Sequence, residues 1–184
     1  MPTYTPENAP LKTDCPDFSL PAVDGRTYQK SDFLNSRPLV IMFICNHCPY
    51  VMAIEDRLIQ LALDLKKKDI HVVAICSNDA ESYPEDSFTE LQKRAAEKKY
   101  PFTYLHDEAQ TVAKAFGAVC TPDFFVYDSN NKLAYRGRLD DSWKDASQVT
   151  RRELFEACLL LADGLPLQPQ TPSMGCSIKW RAQP

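Results

Sequence analysis

Apolar positions along the chain fall into two patterns, short unbroken runs and longer stretches spaced by three and four. Pro38-Leu39-Val40-Ile41-Met42-Phe43-Ile44 is a run of the first kind. Its length and β-rich content predict a strand buried on both faces. From about His47 to Lys68 the pattern changes. Val51, Ile54, Leu58, Leu61, Ala62 and Leu65 share one face at helical spacing, which predicts an amphipathic helix. Lys66-Lys67-Lys68 places positive charge at its C-terminal end, as the helix dipole favours. Ile70-His71-Val72-Val73-Ala74-Ile75-Cys76 is a second buried run. Strand, crossover helix and strand make a βαβ unit, with parallel strands and a right-handed crossover.

The remaining pattern extends this unit on both sides. Residues 1–14 are rich in Pro, Thr and Asn and are expected along the surface. Phe18-Ser19-Leu20 alternates, Asp24-Gly25 signals a turn, and Thr27-Tyr28 returns, which predicts a hairpin. Ser31-Asp32-Phe33-Leu34 suggests one helical turn. Pro84 to Lys99 reads as a helix with Phe88, Leu91 and Ala95 inward. Phe102 to Leu105 is a short strand, and Ala109 to Phe116 a short helix that Gly117 can cap. Asp123 to Tyr127 and Lys132 to Arg138 form an antiparallel pair about Ser129-Asn130-Asn131. Gln148 to Ala162 is the last helix, with Leu154, Cys158 and Leu161 buried. No repeat and no linker divides the sequence. The expected organisation is a single domain over 1–184, with a core at about 14–162 and a C-terminal tail over 163–184.

Composition narrows the class. The 184 residues are 44% hydrophobic and 25% charged, enough for one full core. The net charge is −4 and no basic patch stands out, so nucleic acid is a poor partner. No stretch is apolar and long enough to suggest a membrane span. Met1-Pro2-Thr3-Tyr4-Thr5-Pro6 does not read as a signal peptide, and the expected compartment is the cytoplasm, where thiols stay reduced. Seven cysteines is a high and odd number. Redox or metal chemistry is the leading reading for the one close pair.

That pair lies in Cys45-Asn46-His47-Cys48-Pro49, where a buried strand turns into a helix. A helix N-terminus offers free N–H groups and partial positive charge. Both favour the thiolate, the reactive form of cysteine. Two intervening residues let the sulfurs close a disulfide.

A strand leading into Cys-x-x-Cys, with a later Thr121-Pro122 opening a hairpin, resembles the thioredoxin superfamily. Asp17 to Gly25, Tyr100-Pro101-Phe102, Leu105-x-Asp107, Ala113-x-x-Phe116-Gly117 and Tyr135-Arg136-Gly137 are similar to its redoxin and peroxiredoxin-like (AhpC/TSA-like) branch. The resemblance covers most of residues 14–162. It implies an α/β thioredoxin-like fold: a central mixed β-sheet with helices on both faces, an N-terminal β-hairpin extension and a C-terminal tail.

The resemblance also implies roles. Cys45 takes the place of the attacking cysteine and Cys48 that of the resolving one. His47 would stabilise the Cys45 thiolate. Thr121 and the cis-proline Pro122 would shape the substrate groove. Cys120 and Cys176 are further redox candidates. The implied activity is thiol–disulfide exchange with protein or small-molecule thiols. It needs no metal or organic cofactor, and its electrons come from thioredoxin, glutathione or another thiol system. Two readings compete with this one. Against the peroxiredoxin pattern Pro-x-x-x-Thr/Ser-x-x-Cys, Cys48 takes the peroxide-reactive place, while Ile41 and Cys45 replace the proline and the hydroxyl residue. The other alternative is a metal- or partner-binding module. Structural zinc takes four ligands, so Cys120 and Cys176 would have to converge on the pair.

Other residues have plainer readings. Cys15, Cys76 and Cys158 read as core residues. His71 and His106 read as structural or solvated, Asp140-Asp141 as a solvated loop, and Arg136 and Arg138 as surface residues of the last hairpin.

Overall fold

The apolar runs become the strands of a mixed central sheet in a computed structural model, which describes residues 1–182. In chain order the strands are β1 (Thr3–Tyr4), β2 (Ser19–Pro21), β3 (Thr27–Gln29), β4 (Leu39–Phe43), β5 (His71–Cys76), β6 (Thr103–His106), β7 (Cys120–Thr121), β8 (Asp123–Tyr127), β9 (Leu133–Tyr135) and β10 (Met174–Ser177). The helices are α1 (Pro49–Lys66), α2 (Phe88–Lys98), α3 (Thr111–Phe116) and α4 (Glu153–Ala162).

The central sheet runs β6-β5-β4-β8-β9. β4 is parallel to β5 and antiparallel to β8, and β5 is parallel to β6. All five residues of β4 are buried, as the unbroken apolar run requires. Alternation then divides its side chains between two cores. Val40 and Met42 pack with Ile54, Leu58 and Leu61 of α1, Leu91 of α2, and Leu154 and Cys158 of α4. Leu39, Ile41 and Phe43 pack on the other face with Val112, Ala113 and Phe116 of α3 and with Phe18, Leu20 and Phe33 around the β2–β3 hairpin. Helices therefore cover both faces, as the thioredoxin-like reading expects.

The structure differs from the sequence reading at four places. The helix expected from Pro84 is broken. A 3-10 turn over Pro84–Asp86 comes first, and extended Ser87 (φ −62°, ψ 153°) separates it from α2. The break turns the Asp86 carboxylate inward, where it is fully buried. β9 ends at Tyr135 rather than Arg138, because the Arg136 and Arg138 N–H groups donate to Gln170 Oε1 and the Thr171 carbonyl. α4 starts at Glu153, after a 3-10 turn over Ala146–Gln148.

The fourth difference concerns charge. Arg136 is buried, not a surface residue: its guanidinium donates to Asp123 Oδ2 at 2.9 Å and lies 4.5 Å over the Phe125 ring. Arg138 is partly covered and holds Glu153 at 2.8 Å. Asp140 is buried against Arg57 at 2.5 Å, and Asp141 accepts from Thr150 and Arg151. This acidic pair is an anchored corner, not a solvated loop.

The last segment is the element that bears most on the candidate site. β10 pairs antiparallel with both β1 and β7, giving a second sheet in the order β1-β10-β7.

Candidate active site

β4 ends at Phe43 and delivers the chain to the start of α1. Cys48 occupies the N-cap with extended geometry (φ −72°, ψ 120°), and Pro49 follows at the first helical position. Proline suits that position because its missing N–H would have no helical partner. Cys45 and Cys48 are 3% and 0% exposed.

Thr121 touches both sulfurs. Cys45 Sγ lies 3.4 Å from Thr121 Oγ1, and the Cys48 thiol donates to the Thr121 carbonyl at 3.1 Å. The Thr121–Pro122 peptide is cis. The fold thus brings Cys45, Cys48, Thr121 and Pro122 together from residues far apart in sequence.

The two thiols share Thr121 and titrate as a pair. The neighbouring Cys45 thiol, with the Thr121 hydroxyl and the Val51 and Cys176 backbone, lowers Cys48 to about 5, against the opposing effect of burial. Cys45 moves the opposite way, raised by the neighbouring Cys48, by burial and by the Asp86 charge. The Thr121 carbonyl opposes a Cys48 anion, since it accepts only from a thiol. The donors outnumber it, which favours a thiolate on Cys48.

His47 stands between Asp86 and the pair, with a ring nitrogen within 4.8 Å of Cys45 Sγ. Its Nδ1 lies 2.6 Å from Asp86 Oδ2, and its ring stacks on Tyr83 with centroids 5.0 Å apart. Asp86 also accepts from the N–H of Asn46 at 2.8 Å and from Asn78 Nδ2 at 2.8 Å. The carboxylate therefore ties the Cys-x-x-Cys loop to the start of the α2 region. No motif in the sequence marked Asp86. Only the broken helix points it inward.

Cys45 Sγ, a His47 ring nitrogen and an Asp86 oxygen lie within 4.8 Å of one another. They fit a metal poorly. They supply three donors where structural zinc takes four, and both Asp86 oxygens already accept hydrogen bonds.

The other candidate cysteines separate clearly. Cys176 belongs to β10 and sits opposite Thr121 in the ladder. Burial, together with the neighbouring Cys48, raises its thiol to about 11. Cys120 is fully buried, lies 3.5 Å from the Pro122 carbonyl, and is raised mainly by burial. Cys15, Cys76 and Cys158 are buried, and burial raises all three. His106 is buried against Phe88, and His71 is exposed on β5.

A cavity of about 260 Å³ opens beside Pro122. Tyr50, Phe124, Arg138, Trp143 and Met174 line it, and the Tyr50 and Trp143 rings lie 4.5 Å apart. It can take an apolar side chain next to the Cys-x-x-Cys loop.

Comparison with known proteins places this geometry in context. The AhpC/TSA family matches residues 11–136. An uncharacterized conserved protein of Geobacillus kaustophilus superimposes with a TM-score of 0.94 at 43% identity, over 100% of this chain and 98% of that one. A hypothetical protein of Sinorhizobium meliloti 1021 gives 0.91 at 39% identity, over 96% and 97%. A putative thioredoxin of Neisseria meningitidis gives 0.57 at 25% identity, over 66% and 77%. No curated protein matches the chain.

Proposed function

The chain belongs to the AhpC/TSA family, and from that premise we propose that it is a thiol–disulfide oxidoreductase working through Cys45 and Cys48. The observation that carries this reading is the placement of both sulfurs against Thr121 at the start of α1. Cys45 takes the attacking place. Moving its proton across to Cys48 frees it to attack a substrate disulfide and expel one thiolate. The Cys48 thiolate then attacks Cys45 Sγ, expelling the second thiolate and closing the internal disulfide. The two protein sulfurs are oxidised, one substrate disulfide is reduced, and the leaving thiolates take the pair's one proton and a second from solvent. Thioredoxin, glutathione or another thiol system would return the electrons.

Substitution separates the two roles. Cys45→Ser is expected to abolish repeated turnover of disulfide substrates, and Cys48→Ser to trap a mixed disulfide on Cys45. Full activity in Cys45→Ser would overturn the reading.

The lowered Cys48 thiol also supports a second reading, a thiol peroxidase centred on Cys48. The decisive quantity is the second-order rate with hydrogen peroxide relative to free cysteine. A rate orders of magnitude faster, with a sulfenic acid at Cys48 in Cys45→Ser, supports the peroxidase. A rate near that of free cysteine leaves peroxide as an incidental oxidant.

A further inference from the structure

The edge of β7 at Thr121 lies directly against both sulfurs, so a strand paired there reaches the site. That edge is filled by the chain's own β10, with Cys176 paired to Thr121 and Ser177 to Cys120. Gly175 makes the close approach possible. A Cβ at that position would stand 2.0 Å from the Thr121 carbonyl oxygen and 3.0 Å from the Pro122 nitrogen. Neighbouring contacts pin the strand: Thr5 N–H donates to the Ser173 carbonyl at 3.0 Å, and the Ser173 hydroxyl donates to the Pro122 carbonyl at 2.9 Å. The tail is thus docked in register, and it carries a cysteine.

Cys176 is seated beside Cys48. It pairs with Thr121, whose carbonyl contacts the Cys48 sulfur at 3.1 Å, and it packs against the buried cluster that holds Cys45 and Cys48. Cys48 therefore stands between two thiols, Cys45 on the loop and Cys176 on the tail. Of the three sulfur-bearing residues only Cys176 is partly exposed, while Cys45 and Cys48 are buried.

We propose that Cys176 is a second disulfide partner of Cys48, through which the buried site exchanges with external disulfides while the tail stays docked. The inference rests on Cys48 being redox-active, as in the function proposed above. In the first step Cys176 passes its proton to the neighbouring Cys48 thiolate and attacks an external disulfide RSSR, forming Cys176–S–S–R and releasing RS⁻, which takes that proton. The Cys48 thiolate next attacks Cys176 Sγ, breaking the mixed bond, releasing the second RS⁻ and closing a Cys48–Cys176 disulfide. Cys45 can then attack Cys48 Sγ, forming the Cys45–Cys48 disulfide and returning Cys176 as a thiolate. The net change is oxidation of two protein thiols and reduction of RSSR, with two protons passing to the thiolates released. The Cys48–Cys176 bond fastens the tail across β7. Its transfer to Cys45 unfastens it.

The test uses the full-length chain in its Cys45→Ser form, reduced, then treated with glutathione disulfide and followed by peptide mass mapping. The expected result is a transient glutathione adduct on Cys176 that resolves to a Cys48–Cys176 disulfide within a monomer. Because Cys48 is held beside the adduct, glutathione should leave at least ~tenfold faster than from Cys45→Ser/Cys48→Ser. A lasting adduct on Cys176, a free Cys48 thiol or a disulfide between chains would overturn the proposal. Mapping the oxidised chain with all its cysteines gives a readout that needs no variant fold: Cys48–Cys176 linkage is expected beside Cys45–Cys48, and its absence counts against the relay. The Cys176→Ser chain separates the two readings. If it still closes Cys45–Cys48 under stronger oxidant, the dithiol function stands whatever becomes of the relay.

Discussion

Gly175 lies so close to the Thr121 carbonyl that a Cβ on it would stand 2.0 Å from the oxygen. The obstructing atoms are backbone, which cannot swing aside. Gly175→Ala must therefore push β10 off β7, at a cost of about 1–3 kcal/mol for an overpacked contact. That shifts the docked-to-undocked ratio roughly five- to 160-fold. The expected result is faster alkylation of Cys45 and Cys48 and faster amide exchange over 174–177. The rest of the chain should keep its melting temperature within a few degrees. Unchanged alkylation would show that β10 does not limit access to the sulfurs.

The thiol pair predicts an unusual pH dependence. Cys48 is lowered to about 5 by the neighbouring Cys45, by Thr121 and by the Val51 and Cys176 backbone, while Cys45 is raised. The first proton should therefore leave well on the acid side of an ordinary thiol, and the second only in strong alkali. Thiolate absorbance of the reduced protein should rise once near pH 5, and that rise should vanish in Cys48→Ser. Linkage sets the sign for stability. A thiol depressed from 9.0 to about 5 contributes stability that is full above pH 9 and lost as pH falls through 5. Cys15, Cys76, Cys120 and Cys158 are raised by burial and act oppositely. Their unfolded forms ionise first, so reduced protein should lose stability as pH rises above 9. Urea midpoints measured under reductant at pH 7 and pH 10 check the alkaline arm.

Sequence pattern was enough for the sheet and much of the site, and the reasons differ. β4 and β5 are buried on both faces, so their apolar runs are unmistakable, and α1 shows its buried stripe at helical spacing. The Cys-x-x-Cys position follows from that junction, and Thr121-Pro122 came from family resemblance. Three things escaped. Asp86 sits in what reads as one helix, and only the extended Ser87 turns it inward. Arg136 and Asp123 are hidden because a buried ion pair leaves no periodic trace across a hairpin. The seat of β10 depends on Gly175, whose reason is steric contact with residues more than fifty positions away. Long-range geometry of that kind has no local signature.

Asp86 should act on the site by position rather than by contact with substrate. Its charge raises Cys45, while its oxygens hold His47, Asn46 and Asn78. Asp86→Asn removes the charge and keeps most of the shape. In a Cys48→Ser background, Cys45 alkylation should move to lower pH and accelerate at neutral pH. Weakened hydrogen bonds to a buried charge should also cost about 1.5–3 kcal/mol of stability. A stability loss with an unmoved pH profile would make Asp86 purely structural.

The buried pair of Arg136 and Asp123 gives the sharpest contrast between single and double substitution. Asp123 opens β8 opposite Phe43 of β4, directly after Pro122, and it is wholly buried. Burial raises its carboxyl, and the Arg136 guanidinium at 2.9 Å pulls it back. Arg136 also donates to the Gly117 carbonyl at 2.8 Å, which ties β8 to the end of α3. Arg136→Met leaves a charge without its partner in an apolar site, and should cost about 3–5 kcal/mol. Replacing both partners removes the uncompensated charge. Arg136→Met with Asp123→Leu should therefore recover most of the loss, because a well-packed apolar pair often matches a buried ion pair. The Val119 N–H, which donates to Asp123 at 3.2 Å, sets a limit on that recovery. Denaturant midpoints of the two single variants and the double variant measure the coupling. Additive losses would mean that the Arg136–Asp123 contact contributes nothing beyond its separate packing.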